Sequence, residues 1–229
     1  MSKTVFGLVF LCLLSVEAGG QTVAVTSVTN NTTTIVADAN AVGVTERFSM
    51  SGLVGGVTDV QVHLDLTGGF NGDLYAYLVD PQGQMSVLLN RVGVNGSNPI
   101  GYSDAGFNIS LDSLATTNIH SYQGVSYTLS GGKVTGTWAA DGLSINPKSS
   151  GSVFGTTTPV SGLNIYNGLN GGDLNGTWTL FVADLAAGGG NTSIDQVILS
   201  VATVPEPSNL ILAAAGMAAL ILLQRRSCR

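Results

Sequence analysis

Apolar and polar residues alternate with period two over several stretches of this chain. From Val57 to Leu66, Val60, Val62, Leu64 and Leu66 fall on one side, and Asp59, Gln61, His63 and Asp65 on the other. That spacing predicts a β-strand with one buried face. Thr67-Gly68-Gly69-Phe70-Asn71-Gly72 reads as a turn, and Leu74, Ala76 and Leu78 resume the alternation in a second strand. Asp80-Pro81-Gln82-Gly83 is a tight-turn sequence with proline pre-set at its second position. It leads into a short buried strand from Met85 to Asn90. Near the far end, Trp178, Leu180 and Val182 alternate with Thr177, Thr179 and Phe181. After a Gly188-Gly189-Gly190-Asn191 turn, Val197, Leu199 and Val201 alternate with Gln196, Ile198 and Ser200. Residues 93–172 hold short apolar runs among Gly, Ser, Asn and Thr, which predict loops and edge strands, and no helical period of useful length appears between residues 21 and 203. Many short strands with Gly and Asn turns predict an all-β, antiparallel jelly-roll β-sandwich.

The two ends of the chain follow different patterns. Lys3 precedes an apolar run from Val5 to Val16, and the small residues Ala18, Gly19 and Gly20 come after it. A run of about 12 residues spans roughly 18 Å as a helix, too short for a hydrocarbon core of about 30 Å. Residues 1–20 therefore read as a secretory signal helix, removed near Ala18 to Gly20. Residues 21–42 are a Thr/Asn-rich lead-in, flexible or an edge strand, and residues 43–203 form the sandwich. Residues 204–229 are a tail: Val204-Pro205-Glu206-Pro207-Ser208, an uncharged and largely apolar segment from Leu210 to Leu223, and the basic end Arg225, Arg226 and Arg229. The arginines would hold the end of this C-terminal hydrophobic helix in the cytoplasm, and the prolines keep the segment around Glu206 extended.

The charge balance narrows the partners. Between Gln21 and Pro205 the basic residues are Arg47, Arg91, Lys133 and Lys148, against 12 acidic residues, a net charge near −8. Nucleic acid is excluded, because phosphate binding needs clustered Lys and Arg. Both cysteines, Cys12 and Cys228, lie outside the sandwich, so it contains neither a disulfide nor a thiolate metal site.

Candidate chemistry is sparse. His63 and His120 are the only histidines. Neither is spaced for a metal or accompanied by a Gly-x-Ser-x-Gly elbow, and both read as surface residues. No catalytic residue is assigned, and the chain reads as a non-enzyme. A hydrolase remains the alternative, and it would need two acidic side chains to converge in a cleft. Asp73, in Asn-Gly-Asp-Leu, and Asp184, after the Trp178 strand, are candidate Ca²⁺ ligands, with Asp73 also suited to accepting turn N–H bonds. No cofactor is required. Tyr75 and Tyr77 lie opposite Leu74 and Leu78 and form a candidate ligand platform, whereas Trp178 reads as core.

The tail closely resembles the PEP-CTERM sorting signal, with its Pro-Glu-Pro motif, apolar helix and basic end in order. The resemblance implies processing near Pro205, Glu206 and Pro207 by a membrane-embedded exosortase, with a transient stay in the inner membrane of a Gram-negative bacterium. The alternative is a permanent anchor. The body, roughly residues 45–202, resembles the P domain of kexin-type and subtilisin-like proteases. The resemblance rests on Asn71-Gly-Asp-Leu-Tyr-Ala-Tyr-Leu-Val-Asp-Pro-Gln-Gly, on Ser86-Val-Leu-Leu-Asn-Arg, on Asn175-Gly-Thr-Trp-Thr-Leu-Phe-Val-Ala-Asp and on the closing Gly190-Asn-Thr-Ser-Ile-Asp-Gln-Val-Ile-Leu-Ser-Val. It implies a jelly-roll sandwich that stabilises a protease. No protease precedes it here, so the expected role is that of an exported cell-envelope or extracellular-matrix (biofilm) protein, structural or interacting. A carbohydrate- or protein-binding module, with extracellular polysaccharide as partner, is the second expectation.

Overall fold

A computed structural model describes residues 23–204. The signal segment, the Pro205-Glu206-Pro207 motif, the apolar segment from Leu210 to Leu223 and the terminal arginines lie outside these residues. Eleven strands make two sheets: β1 (Ala24–Asn30), β2 (Thr34–Val36), β3 (Asn40–Met50), β4 (Gly56–Gly68), β5 (Leu74–Val79), β6 (Met85–Asn90), β7 (Phe107–Asp112), β8 (Thr128–Ser130), β9 (Lys133–Trp138), β10 (Gly176–Asp184) and β11 (Thr192–Val204). The first sheet runs β1-β11-β4-β7-β9-β8, with β2 also paired to β11, and the second runs β3-β10-β5-β6. Among the described residues the one α-helix is the single turn Gly151–Phe154, and no helix is long and apolar enough to cross a membrane.

The alternating stretches become the central strands. In β4, Val60, Val62, Leu64 and Leu66 are buried, and Asp59, Gln61, His63 and Asp65 face outward, half-exposed. β5 and β10 repeat the pattern from the opposite sheet: Leu74, Ala76 and Leu78 alternate inward in β5 and Trp178, Leu180 and Val182 in β10, with Leu78 opposite Leu180 and Ala76 opposite Val182. Together with Val197, Leu199 and Val201 of β11 these side chains form one apolar layer between the sheets. Trp178 is fully buried, donates from its indole N–H to the Leu174 carbonyl at 2.9 Å, and meets Tyr166 edge to face. The Asp80–Gln84 turn closes as its sequence predicts, with Gly83 N–H donating to Asp80 O at 3.1 Å.

Two features depart from the sequence reading, and a third settles one of its alternatives. β7 is an interior strand, between β4 and β9, and contributes Phe107, Ile109 and Leu111 to the core. Its alternation was masked by the glycine- and serine-rich stretches around it, which predicted only loops and edges there. β7 and β9 are parallel, whereas the other pairs are antiparallel. Residues 113–132 make the long crossover that a parallel pair requires. The lead-in takes its edge-strand alternative: β1 and β2 both pair with β11, and β1 closes one edge of the sheet.

The sharpest test of this layer lies in β10. Leu180→Ala should destabilise the protein by about 2–5 kcal/mol, from lost burial and a residual cavity. Thr177→Ala, on the exposed face of the same strand, should change stability by less than about 0.5 kcal/mol. Urea unfolding of both variants checks this, and equal effects would contradict the assignment of faces.

Candidate functional site

Three connections meet at one end of the sandwich. The β2–β3 turn carries Asp38, the β4–β5 loop ends in the 3₁₀ turn Asn71–Asp73, and β10 ends at Asp184 before the glycine-rich loop to β11. Backbone N–H groups cross-link them: Leu185 N–H donates to Asp73 O at 2.9 Å, Gly188 N–H to Asp38 Oδ1 at 3.1 Å, and Asp38 N–H to Asn191 Oδ1 at 3.0 Å. Close approach at this end depends on Gly69. It adopts φ +65°, and a Cβ there would lie 2.0 Å from Thr192 Oγ1 and 3.5 Å from Asp184 Oδ2. Among the described residues, the non-glycine residues with positive φ are Ala39 and Arg91. The first adjoins Asp38 and the second faces Asp73, so backbone strain is concentrated around the carboxylates.

The two candidate Ca²⁺ ligands of the sequence are thus brought to one place. Asp73 is 5% exposed and Asp184 is fully buried. Arg91 Nη2 stands 4.0 Å from Asp73 Oδ1, beyond hydrogen-bond reach, and its Nε donates to Gly72 O. Ala186 N–H lies 3.4 Å from Asp184 Oδ1, while Asp184 Oδ2 has no hydrogen-bond partner. Burial, reinforced by the charge of Asp184 and opposed by Arg91, pushes the Asp73 carboxyl up to about 6. Burial likewise pushes Asp184 upward, with the N–H groups of Ala186 and Ala39 opposing and the charge of Asp38 adding to it. A cavity of about 170 Å³ adjoins the cluster, lined in part by Phe70, Asp73, Arg91 and Tyr102. Among the described residues no group of three or more His, Cys, Asp or Glu side chains is spaced to hold a metal. Any ion here would therefore need backbone and hydroxyl oxygens besides the two buried carboxylates.

Tyr75 and Tyr77 share the outer face of the second sheet with Phe181. The rings of Tyr77 and Phe181 stack at 4.8 Å with 19° between planes, and Tyr75 packs 5.7 Å from Tyr77. The tyrosines are half-buried and partly covered by one another.

His120 is not the surface residue its sequence context implies. Its side chain is 16% exposed, with Nδ1 2.7 Å from Asp141 Oδ2 and Nε2 3.0 Å from Val94 O. Asp141 is fully buried and also accepts from Asn90 N–H at 3.0 Å and Leu143 N–H at 3.2 Å. The imidazole stacks on Phe154. Burial alone would lower the His120 imidazole, but the hydrogen bond and charge of Asp141 and the Val94 carbonyl outweigh it, and the net direction is upward. Both ring nitrogens are engaged by oxygens, and burial pushes Asp141 upward as well, so the contacts suit either an imidazolium beside a carboxylate or a neutral ring beside a carboxylic acid. A histidine so capped has no free nitrogen with which to act as a general base. Sequence reasoning missed this pair because its members are 21 residues apart with no motif linking them. His63 matches its reading, half-exposed on the outer face of β4.

Residues 57–153 match the family model described as proprotein convertase P-domain. The body is P-domain-like. The matched span of this P-domain-like body includes Asp73, Tyr75, Tyr77, His120 and Asp141, whereas Asp184 lies beyond it. Two solved structures are similar. The serine protease of Aeromonas sobria covers 82% of this chain and 28% of its own, at 15% identity and TM-score 0.44. The complex of Aeromonas sobria serine protease (ASP) with the chaperone ORF2 covers 80% and 27%, at 16% identity and TM-score 0.41. This chain thus spans little more than a quarter of the length of those chains. No curated protein matches it.

A charged imidazole in the His120–Asp141 pair would have a pH signature. Its folded pKa lies above the ordinary value of about 6.5, so its stabilisation is full below that value and is lost as pH rises through the folded one. His120→Gln should therefore cost about 1.5–3 kcal/mol at pH 6 and less at pH 9. Groups common to both proteins cancel in the difference of unfolding free energies. A difference that stays constant from pH 5 to 9 would mean that the imidazole is neutral.

Proposed function

We propose that this is an exported bacterial cell-envelope or extracellular-matrix protein whose P-domain-like, jelly-roll sandwich serves a structural or interaction role without catalysis. On this reading the N-terminal segment directs export, and the tail retains the protein briefly in the inner membrane until an exosortase-type enzyme cuts near Pro205-Glu206-Pro207. The observation that carries it is the sequence of the tail, in which Pro205-Glu206-Pro207, an uncharged apolar segment from Leu210 to Leu223 and the basic end Arg225, Arg226 and Arg229 follow in order. Cleavage at the motif would leave intact every strand pair of the described residues, the last of which joins Val204 to Gly56. The capped state of His120 leaves it without a free nitrogen for general-base catalysis.

A second reading, a carbohydrate-binding module, is favoured by one groove. It has a volume of about 450 Å³ and is lined by Tyr127, Trp138, Thr117, Ser126, Thr128 and Thr135 among others, with no charged side chain. Hydroxyls and aromatic edges without charge suit a neutral glycan. Glycan-array binding that is lost in Tyr127→Ala would move the assignment to this reading.

The sorting proposal is tested by intact-mass analysis of the protein recovered from its native host. The expected product lacks Leu210 to Arg229, and replacing Pro205, Glu206 and Pro207 with alanine should leave a full-length protein in the inner membrane. A native product that retains Leu210 to Arg229 while the host processes other tails of this kind would make the segment a plain anchor.

A further inference from the structure

The buried carboxylates at the three-loop junction are poorly compensated charges. Burying an ionised carboxylate costs several kcal/mol unless it is paired or coordinates a cation. Asp141, equally buried, meets this requirement with a histidine and two N–H donors. Asp184 has no such cation: it is fully buried, only the N–H groups of Ala186 and Ala39 act on it, its Oδ2 has no hydrogen-bond partner, and the next residue, Leu185, donates its N–H to Asp73 O at 2.9 Å. Arg91, the cation closest to Asp73, is spent on a backbone carbonyl and remains 4.0 Å away. Asp38 adds a third negative charge close by. Strain at Ala39 and Arg91 and the exclusion of any side chain at position 69 hold these groups together where repulsion alone would part them.

We propose that Asp73 and Asp184 bind a Ca²⁺ ion at this junction. Asp184 Oδ2 is the unpartnered oxygen that the ion would take, Asp73 supplies the second carboxylate, and Thr192 Oγ1, beside the same face of Gly69, is a neutral oxygen within the site. The chemistry selects the metal. The donors are hard oxygens, with no histidine or cysteine among them, which disfavours zinc and other transition metals. Ca²⁺ accepts six to eight carboxylate, carbonyl, hydroxyl and water oxygens in adaptable geometry, whereas Mg²⁺ demands a near-ideal octahedron. Two carboxylates thus suffice for Ca²⁺ when the loops supply the rest. The ion would tie the β4–β5 loop to the β10–β11 loop and so clamp the end of both sheets.

The rival occupant is a proton shared by the two acids. Thermal unfolding of the full chain in mild detergent at pH 7.5 separates the two, with EDTA, Ca²⁺ or Mg²⁺ at equal ionic strength. Ca²⁺ at a hundredfold excess over its Kd should raise Tm by about 5–10 °C, and Mg²⁺ by much less. Tb³⁺ luminescence should report one site per chain that Ca²⁺ displaces. Asp184→Asn should abolish the Ca²⁺ response and the Tb³⁺ signal while melting in EDTA at or above the wild type, because it removes an unpaired buried charge. Asp73→Asn provides the same test should Asp184→Asn fail to fold. Superimposable wild-type melts in EDTA and Ca²⁺, with stability that rises as pH falls from 7.5 to 5, would establish the shared proton and overturn the proposal. So would a Ca²⁺ response retained in either variant.

Discussion

The apolar layer between the two sheets sets the position of everything else. Leu64 and Leu66 of β4, Leu199 and Val201 of β11, and Leu180 and Val182 of β10 are removed from water together. Each strand contributes only alternate residues to that layer, so a slip of one residue in any pairing would expose its whole buried set. Register is therefore fixed tightly along β4, β10 and β11. The ends of those strands, and the loops that leave them, inherit that precision. Asp184 ends β10, opposite Leu74 in the ladder, and Asp73 immediately precedes β5. Their proximity follows from core packing and not from any attraction between them.

The two buried carboxylate environments show how differently one fold treats the same group. Around Asp141, a histidine and the N–H groups of Asn90 and Leu143 converge, and the pair joins β6 to the segments around residues 94, 120 and 143. It stitches the long, irregular middle of the chain onto the sandwich, where little regular ladder is available. Around Asp184 the donors are fewer and the backbone more strained. The first arrangement is complete within the chain, and the second calls for a positive charge from outside it.

Much of the fold was legible because four strands, β4, β5, β10 and β11, carry alternation and β6 follows a tight turn as a short apolar run; all five lie where their patterns put them. β7 was not, since its three inward residues are embedded among glycines and serines and its burial depends on neighbours distant in sequence. The parallel β7–β9 pair was invisible for a related reason, because alternation reports which face is buried and says nothing about strand direction. Of the site, Asp73 and Asp184 were legible as acids at strand ends, and Tyr75 and Tyr77 as an outward pair. Asp38 was not, standing alone in an Ala-, Val- and Thr-rich lead-in. The His120–Asp141 pair was also hidden, since only tertiary structure brings its members together.

The order of strands in space also constrains the order in which the chain acquires structure. β3 finds its ladder partner in β10, and β1, β2 and β4 find theirs in β11. An emerging chain would therefore have completed more than two thirds of the domain before its opening strands had anything to pair with. Until β11 appears, β1 and β2 have no ladder and one side of β4 is bare. Loop-closure entropy must be met before these non-local contacts form. Such a domain closes late, so its nascent form presents bare strand edges and depends on protection from neighbouring chains until its last strand is in place.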